Sequence, residues 1–179
     1  MPSRSPRRPT VKRASRSTGR SAEPSGDPYD VAVRYLASRP KSVAEIARHL
    51  RSKRFDDVVI AGAIDRLRAQ RYVDDEAFAR YWVEQRERHR PRGDRALKSE
   101  LLQKGVSRDV VDVVLGERAP DADVEQAKRA LSRPLTRWAT LPPAERKRKI
   151  HTYLAARGFD YGTIEEVMRA SVAEDDEAE

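Results

Sequence analysis

From residue 28 onward, apolar positions recur in short runs at helical spacing, and capping signals separate the runs. Asp27-Pro28 reads as an N-cap followed by proline at the first helical position; Ala32, Tyr35 and Leu36 make the inner face, and Pro40 stops the helix. Ser42 starts the next helix. Glu45, three residues on, closes a capping box, and Val43, Ile46, Ala47 and Leu50 face inward. Phe55 and Asp56-Asp57 precede a third helix with Ile60, Ala63, Ile64 and Leu67 inside.

The next stretch, Tyr72 to Val106, reads as two more helices joined by an arginine-rich loop. Asp74 is the N-cap, with Asp75 and Glu76 on the first turn where the helix dipole favours negative charge. Phe78, Tyr81, Trp82 and Gln85 share one face, and Pro91 and Gly93 break the pattern. A helix from near Asp94 turns Leu97 and Leu101 inward and Arg95 and Lys98 outward, and ends at Gly105. Val110, Val111, Val113 and Val114 are β-branched, but they lie between Ser107 and Gly116 at helical spacing, so no strand is predicted.

These runs repeat. Leu50 to Phe55, Leu101 to Val106 and Leu154 to Phe159 align, at offsets of 51 and then 53 residues. Five positions after each come Ile60, Val111 and Ile164; nine positions after come Ile64, Leu115 and Met168. In the third copy Val124, Ala127 and Leu131 suggest the first helix. Leu135 and Trp138 read as a connection ahead of Pro142-Pro143, and Ile150, Tyr153 and Leu154 lie on the middle helix. The predicted fold is all-α, with three tandem three-helix, helix-turn-helix-like repeats forming an elongated, curved body. The repeats span 28–72, 73–118 and 119–173. A disordered basic arm (1–27) precedes them, with almost no large apolar residues, and a disordered acidic tail (174–179) follows a helix that frays from Ser171. Gly105 and Gly158 sit where a helix end needs a left-handed residue. Arg54 holds that place in the first copy, which makes its turn a candidate for a different construction.

Charge narrows the function. The chain has 179 residues, 37% of them charged, with net charge +8 and pI near 10.0. Arm and tail roughly cancel, leaving 30 basic against 22 acidic residues in the repeats. This favours a polyanionic partner. Cysteine is absent, which excludes disulfides, thiolate catalysis and Cys-type zinc sites. No apolar run approaches the roughly 20 residues of a membrane span, and no secretory h-region is visible, so a cytoplasmic protein without membrane contact is expected.

Catalytic chemistry is not legible. His49, His89 and His151 are far apart and lack metal-ligand spacing; there is no Gly-rich phosphate loop. Asp74, Asp75 and Glu76 are adjacent on a helix and diverge, so capping explains them better than a metal. Phe78, Tyr81 and Trp82 have the spacing of a buried face rather than of a base-stacking platform. No catalytic residue, metal or cofactor is expected, which argues against a hydrolase or nuclease. The basic residues carry the functional signal: Arg86, Arg88, Arg90, Arg92, Arg95 and Lys98 around the loop, with Arg146, Lys147, Arg148 and Lys149 as a second patch. Arginine suits phosphate or carboxylate through its planar fork. The bland reading is a solvated face with local pairs such as Glu84 with Arg88. A DNA-binding helix-turn-helix regulator is a further reading of Ser42 to Leu67, but its second helix begins with acids where base-reading side chains belong.

The order and spacing of Tyr35-Leu36, Ser42 to Ile46, Leu50, Leu67 and Tyr72 to Asp75 resemble the RecX family, and the likeness continues through Phe78-Ala79, Tyr81-Trp82, Arg86, Gly93, Glu100-Leu101 and Lys104 to Val106. It covers about Tyr29 to Leu115 well and the third repeat weakly. The resemblance implies the same all-helical three-repeat fold. It also implies a function that composition alone does not supply, that of a non-enzymatic regulator that binds RecA filaments on single-stranded DNA, lodges in the filament groove and modulates RecA, usually by inhibition. The partner it implies is the RecA filament with its single-stranded DNA, with direct DNA contact left open and the chain itself a monomer.

Overall fold

The computed structural model describes residues 26–176, and all regular structure among them is helical. The elements are α1 (Pro28–Leu36), α2 (Val43–Ser52), α3 (Asp57–Ala69), α4 (Asp75–His89), α5 (Asp94–Gln103), α6 (Arg108–Gly116), α7 (Ala122–Trp138), α8 (Pro143–Ala155) and α9 (Tyr161–Asp176). They pack in threes. Each triplet has its own apolar core, and every helix pair in extensive contact lies within one triplet.

The cores are built on equivalent residues. Ile46, Leu97 and Ile150 are buried on the middle helices, followed by Leu50, Leu101 and Leu154. Phe55, Val106 and Phe159 are buried after the turn, then Ile60, Val111 and Ile164 on the third helices. One register differs from the sequence reading: Ala63, Val114 and Val167 are fully buried, while Leu115 and Met168, one position later, are only partly buried against the cores. On α4 the core face is Phe78, Ala79 and Val83; Tyr81 and Gln85 sit at its margin, half-buried.

The capping residues act as their spacing predicts. Asp27 accepts from the Tyr29 N–H, Asp74 from the N–H groups of Glu76 and Ala77, and Ser42 and Glu45 form a complete capping box. The turn after each middle helix is the same in all three copies. The N–H groups of Phe55, Val106 and Phe159 reach back to the carbonyls of Leu50, Leu101 and Leu154 at 3.3, 3.1 and 3.3 Å. The residue before each is left-handed: Arg54 at φ 67°, Gly105 at 84° and Gly158 at 83°. The first turn is therefore not built differently; Arg54 adopts the strained conformation. Packing explains the difference in residue. A Cβ on Gly105 would lie 2.3 Å from the Cβ of Ala44, and one on Gly158 would lie 2.5 Å from the Cβ of Ala96. Both glycines press on the preceding repeat. Among the described residues no repeat precedes that of Arg54, and Arg54 is exposed.

These contacts join consecutive repeats. At the first joint Ser42 Oγ donates to the Lys104 carbonyl at 2.7 Å, Lys104 Nζ meets Glu45 Oε1 at 2.8 Å, and the Val43 N–H donates to Asp75 Oδ1 at 2.8 Å. At the second, the Gly93 N–H donates to the Arg157 carbonyl at 3.1 Å and the Asp94 N–H to Asp123 Oδ2 at 3.0 Å. Arg118 lies at the centre of that joint. Only 7% of its side chain is exposed, and it reaches Glu87 at 3.0 Å, Asp123 at 2.6 Å and also Asp94.

Two further expectations are corrected. Leu135 and Trp138 are not in a connection: α7 continues through Pro134 to Trp138. Proline removes the N–H that would bond the Ala130 carbonyl, and Tyr153 Oη from α8 donates to that carbonyl instead, at 3.2 Å. The acidic tail is not irregular from residue 174, because α9 runs to Asp176. Once Ile164 and Val167 anchor the helix, each further Glu or Ala adds a backbone bond at little cost. The expected basic arm falls on residues 1–25, outside the described residues, apart from Gly26 and the cap Asp27; residues 177–179 lie outside them too.

Candidate functional site

Where repeats 2 and 3 meet, the surface folds into a cleft of about 660 Å³. Arg88, Arg90 and Arg92 line it from the end of α4 and the α4–α5 connection. Arg129, Arg133 and Arg137 line it from α7, and Tyr153 and Arg157 from α8 and its turn. No carboxylate is among the lining residues. Four-residue spacing puts the α7 arginines on one helix face, each about 6 Å further along the axis. Arg137 joins this row because α7 continues past Pro134.

Most of these guanidinium groups lack an acidic partner. Among the described residues, Arg90, Arg129, Arg133, Arg137 and Arg157 form no ion pair; Arg88 pairs with Glu84 at 2.6 Å, and Arg92 comes within 3.8 Å of Glu100. Arg157 lies over the Tyr153 ring at 3.4 Å. Burial pushes its pKa below the usual arginine value, and the nearby Arg92 adds to the effect against the favourable influence of Tyr153. A bound anion would offset this repulsion. Clustered cations in a concave surface focus the field and raise the local concentration of anions.

The residues singled out from sequence divide into groups. Arg88, Arg90 and Arg92 come together in the cleft. Arg86 does not join them: its Nε donates to Glu100 Oε2 at 2.6 Å, and its guanidinium lies 4.4 Å from the Trp82 ring centroid. The same Glu100 oxygen accepts from Trp82 Nε1 at 2.8 Å, and Lys104 covers the ring at 4.5 Å. Arg86 thus braces α4 against α5. Arg95 is exposed with no carboxylate partner, and Lys98 is bound to Asp112 at 2.5 Å. Arg146, Lys147, Arg148 and Lys149 lie on the first half of α8 and do not line the cleft; Lys149 approaches Glu145 at 3.8 Å. Sequence reading missed Arg129, Arg133, Arg137 and Arg157. The available signal was the four-residue spacing in the run Lys128 to Trp138, hidden by ending the helix before Pro134.

The three acids that open α4 have structural roles. Asp74 caps α4, Asp75 holds the first joint, and Glu76 pairs with Arg80 at 2.6 Å. Among the described residues, no group of three or more His, Cys, Asp or Glu is placed to hold a metal. No described helix is long and apolar enough to cross a membrane. The start of α3 is acidic, and its Asp57 Oδ1 accepts from Arg51 Nε at 2.8 Å.

Comparison with known proteins gives the same architecture. Models of the first, second and third three-helix domains of RecX match residues 29–67, 74–115 and 121–168, in that order. The chain is 30% identical over 142 residues to the regulatory protein RecX of Chlorobium phaeobacteroides (strain BS1), covering 78% of this chain and 90% of that protein. It is 34% identical over 143 residues to the regulatory protein RecX of Mycobacterium avium (strain 104), covering 79% and 82%. The crystal structure of RecX from Lactobacillus salivarius superimposes with a TM-score of 0.72 at 21% identity, over 80% of this chain and 93% of that one, a likeness of fold. With three domain models matched in order and relatives aligned over most of their length, the chain belongs to the RecX family of regulatory proteins.

Proposed function

We propose that this chain is a non-enzymatic regulator that binds RecA filaments on single-stranded DNA in the cytoplasm and restrains RecA. The activities it lowers are ATP hydrolysis, strand exchange and co-protease stimulation, and through them it regulates DNA repair and the SOS response. The observation that carries this reading is the arginine-lined cleft between repeats 2 and 3 in a member of the RecX family. A nucleoprotein filament presents both phosphates and acidic protein surface, and unpaired guanidinium groups can grip either. Arg88, Arg90 and Arg92 are the contact residues in the cleft. Arg95, Lys98 and Arg146 to Lys149 form outlying basic surface, and Arg86 acts by holding α4 on α5.

Co-sedimentation tests the partnership. The chain is mixed with RecA-coated single-stranded DNA and, separately, with naked DNA of the same length. Enrichment on the coated strand is the expected result. Equal partition onto both removes the RecA dependence.

A further inference from the structure

We propose that a second, acidic pocket at the joint between repeats 2 and 3 is a docking site for a lysine- and arginine-rich peptide segment, and that its occupant is the chain's own basic arm, residues 1–25. The contact requires neither RecA nor nucleic acid.

The pocket, of about 460 Å³, lies between α4, α6 and α7. Five carboxylates line it, Glu84, Glu87, Glu117, Asp121 and Glu125, against the two guanidinium groups of Arg80 and Arg118. Its polarity is opposite to that of the arginine cleft, although α4 and α7 line both. Val83, Val114 and Ala122 give it apolar wall. A lysine or arginine side chain suits such a site, because its stem packs on apolar surface while its head meets carboxylates. Glu84 and Glu125 are exposed, and their pairs with Arg88 and Lys128 are of the weak surface kind that a bound cation can replace.

Two buried atoms at the pocket point to a ligand independently. Arg118 Nη2 and Gln126 Oε1 have no hydrogen-bond partner among the described residues, although only 7% of the Arg118 side chain and 8% of Gln126 are exposed. One is a donor and the other an acceptor. A peptide backbone supplies the matching carbonyl and N–H. A phosphate supplies acceptors only, and the surplus of carboxylates repels it.

The arm is an occupant that the chain brings with it. Residues 1–25 carry seven Arg or Lys and one acid. Fully extended, they reach about 80 Å from Gly26. No described helix is longer than 17 residues, about 26 Å, so two repeats span about 50 Å. Tethering holds the arm at an effective concentration on the order of mM, ahead of a separate peptide of the same sequence.

The test is paramagnetic relaxation in the full chain. Cysteine is absent, so Ser15→Cys carries a single nitroxide in the arm. The backbone amides of Val114, Ala122 and Gln126 should lose most of their intensity at about 0.05 M salt and recover it at about 0.5 M. The added triple Glu84→Gln, Glu117→Gln, Glu125→Gln should restore the intensity at low salt. A charge-matched control at exposed acids elsewhere, Asp30→Asn, Asp65→Asn, Asp109→Asn, should not. Weak loss spread over the whole surface, or loss centred on the end of α9, overturns the proposal and leaves water as the partner of Arg118 and Gln126. That map needs only Ser15→Cys, so it decides even if the Gln triple misfolds. Mixing the nitroxide-bearing chain with isotope-labelled wild type should produce no loss. Loss equal to that within one chain puts a second copy's arm in the pocket and overturns the intramolecular contact.

Discussion

Tyr153 donates its hydroxyl hydrogen bond to the Ala130 carbonyl at 3.2 Å, filling the acceptor that Pro134 leaves without a backbone donor. With that carbonyl satisfied, α7 runs on through Pro134 to Trp138, which keeps Arg137 in line with Arg129 and Arg133. Replacing Tyr153 with Phe leaves the carbonyl of a buried residue unsatisfied and should cost about 1–2 kcal/mol. In a Pro134→Ala background a backbone N–H can serve the carbonyl again, so the same substitution should cost less. Denaturant unfolding of the four proteins in this cycle measures the coupling; equal costs in both backgrounds would separate Tyr153 from Pro134.

The helix-end glycines have two roles that can be tested apart. Arg54→Gly relieves a left-handed, exposed residue and should stabilise the chain by about 0.5–1 kcal/mol. Gly105→Ala adds strain at φ 84° and a clash with Ala44, so it should destabilise by more than that amount. Thermal melting of both variants checks the opposite signs.

Arg118 couples repeats 2 and 3 through Glu87, Asp94 and Asp123. Burial opposes its charge, but its hydrogen bonds and ion pairs with Asp123, Asp94 and Glu87 outweigh this and raise its pKa. Arg118→Ala leaves those acids facing one another and should cost about 3 kcal/mol or more. Hydrogen exchange should report the loss at Asp94 and Gly93 more strongly than in repeat 1. Uniform loss across the chain would contradict a local joint.

Glu45 gives the first joint a pH dependence. Burial pushes its pKa up, but hydrogen bonds from Lys104 and the Ser42 N–H prevail and hold it below the ordinary 4.5. A lowered carboxyl pKa stabilises the fold above the unfolded value, and that contribution fades as pH falls through the folded value. Wild type should therefore melt higher than Glu45→Gln at pH 7, and the gap should close below about pH 4.5. A gap that is constant with pH would show that the ion pair with Lys104 does not contribute.

The helices and cores were legible because local rules and tertiary packing agree. Ser42 with Glu45 and Asp74 with the α4 N–H groups obey capping chemistry that depends only on neighbours. Leu50, Leu101 and Leu154 recur because each repeat buries the same face. The cleft was only half legible. Arg88, Arg90 and Arg92 stand out in the sequence, but Arg137 joins them only because α7 runs past Pro134, where Tyr153 from α8 serves the freed carbonyl, and Arg129, Arg133 and Arg157 join them only through the packing of repeat 3 on repeat 2. Arg86 looked like a contact residue by proximity in sequence; its tie to Glu100, fourteen positions away, is visible only in the fold.

Regulation of RecA on its DNA is tested most directly by RecA ATP hydrolysis on single-stranded DNA, titrated with the chain at fixed salt while DNA binding by the chain alone is measured in parallel. The account predicts loss of hydrolysis at concentrations too low to coat the DNA. Loss only once the DNA is saturated, or no loss at all, would contradict it.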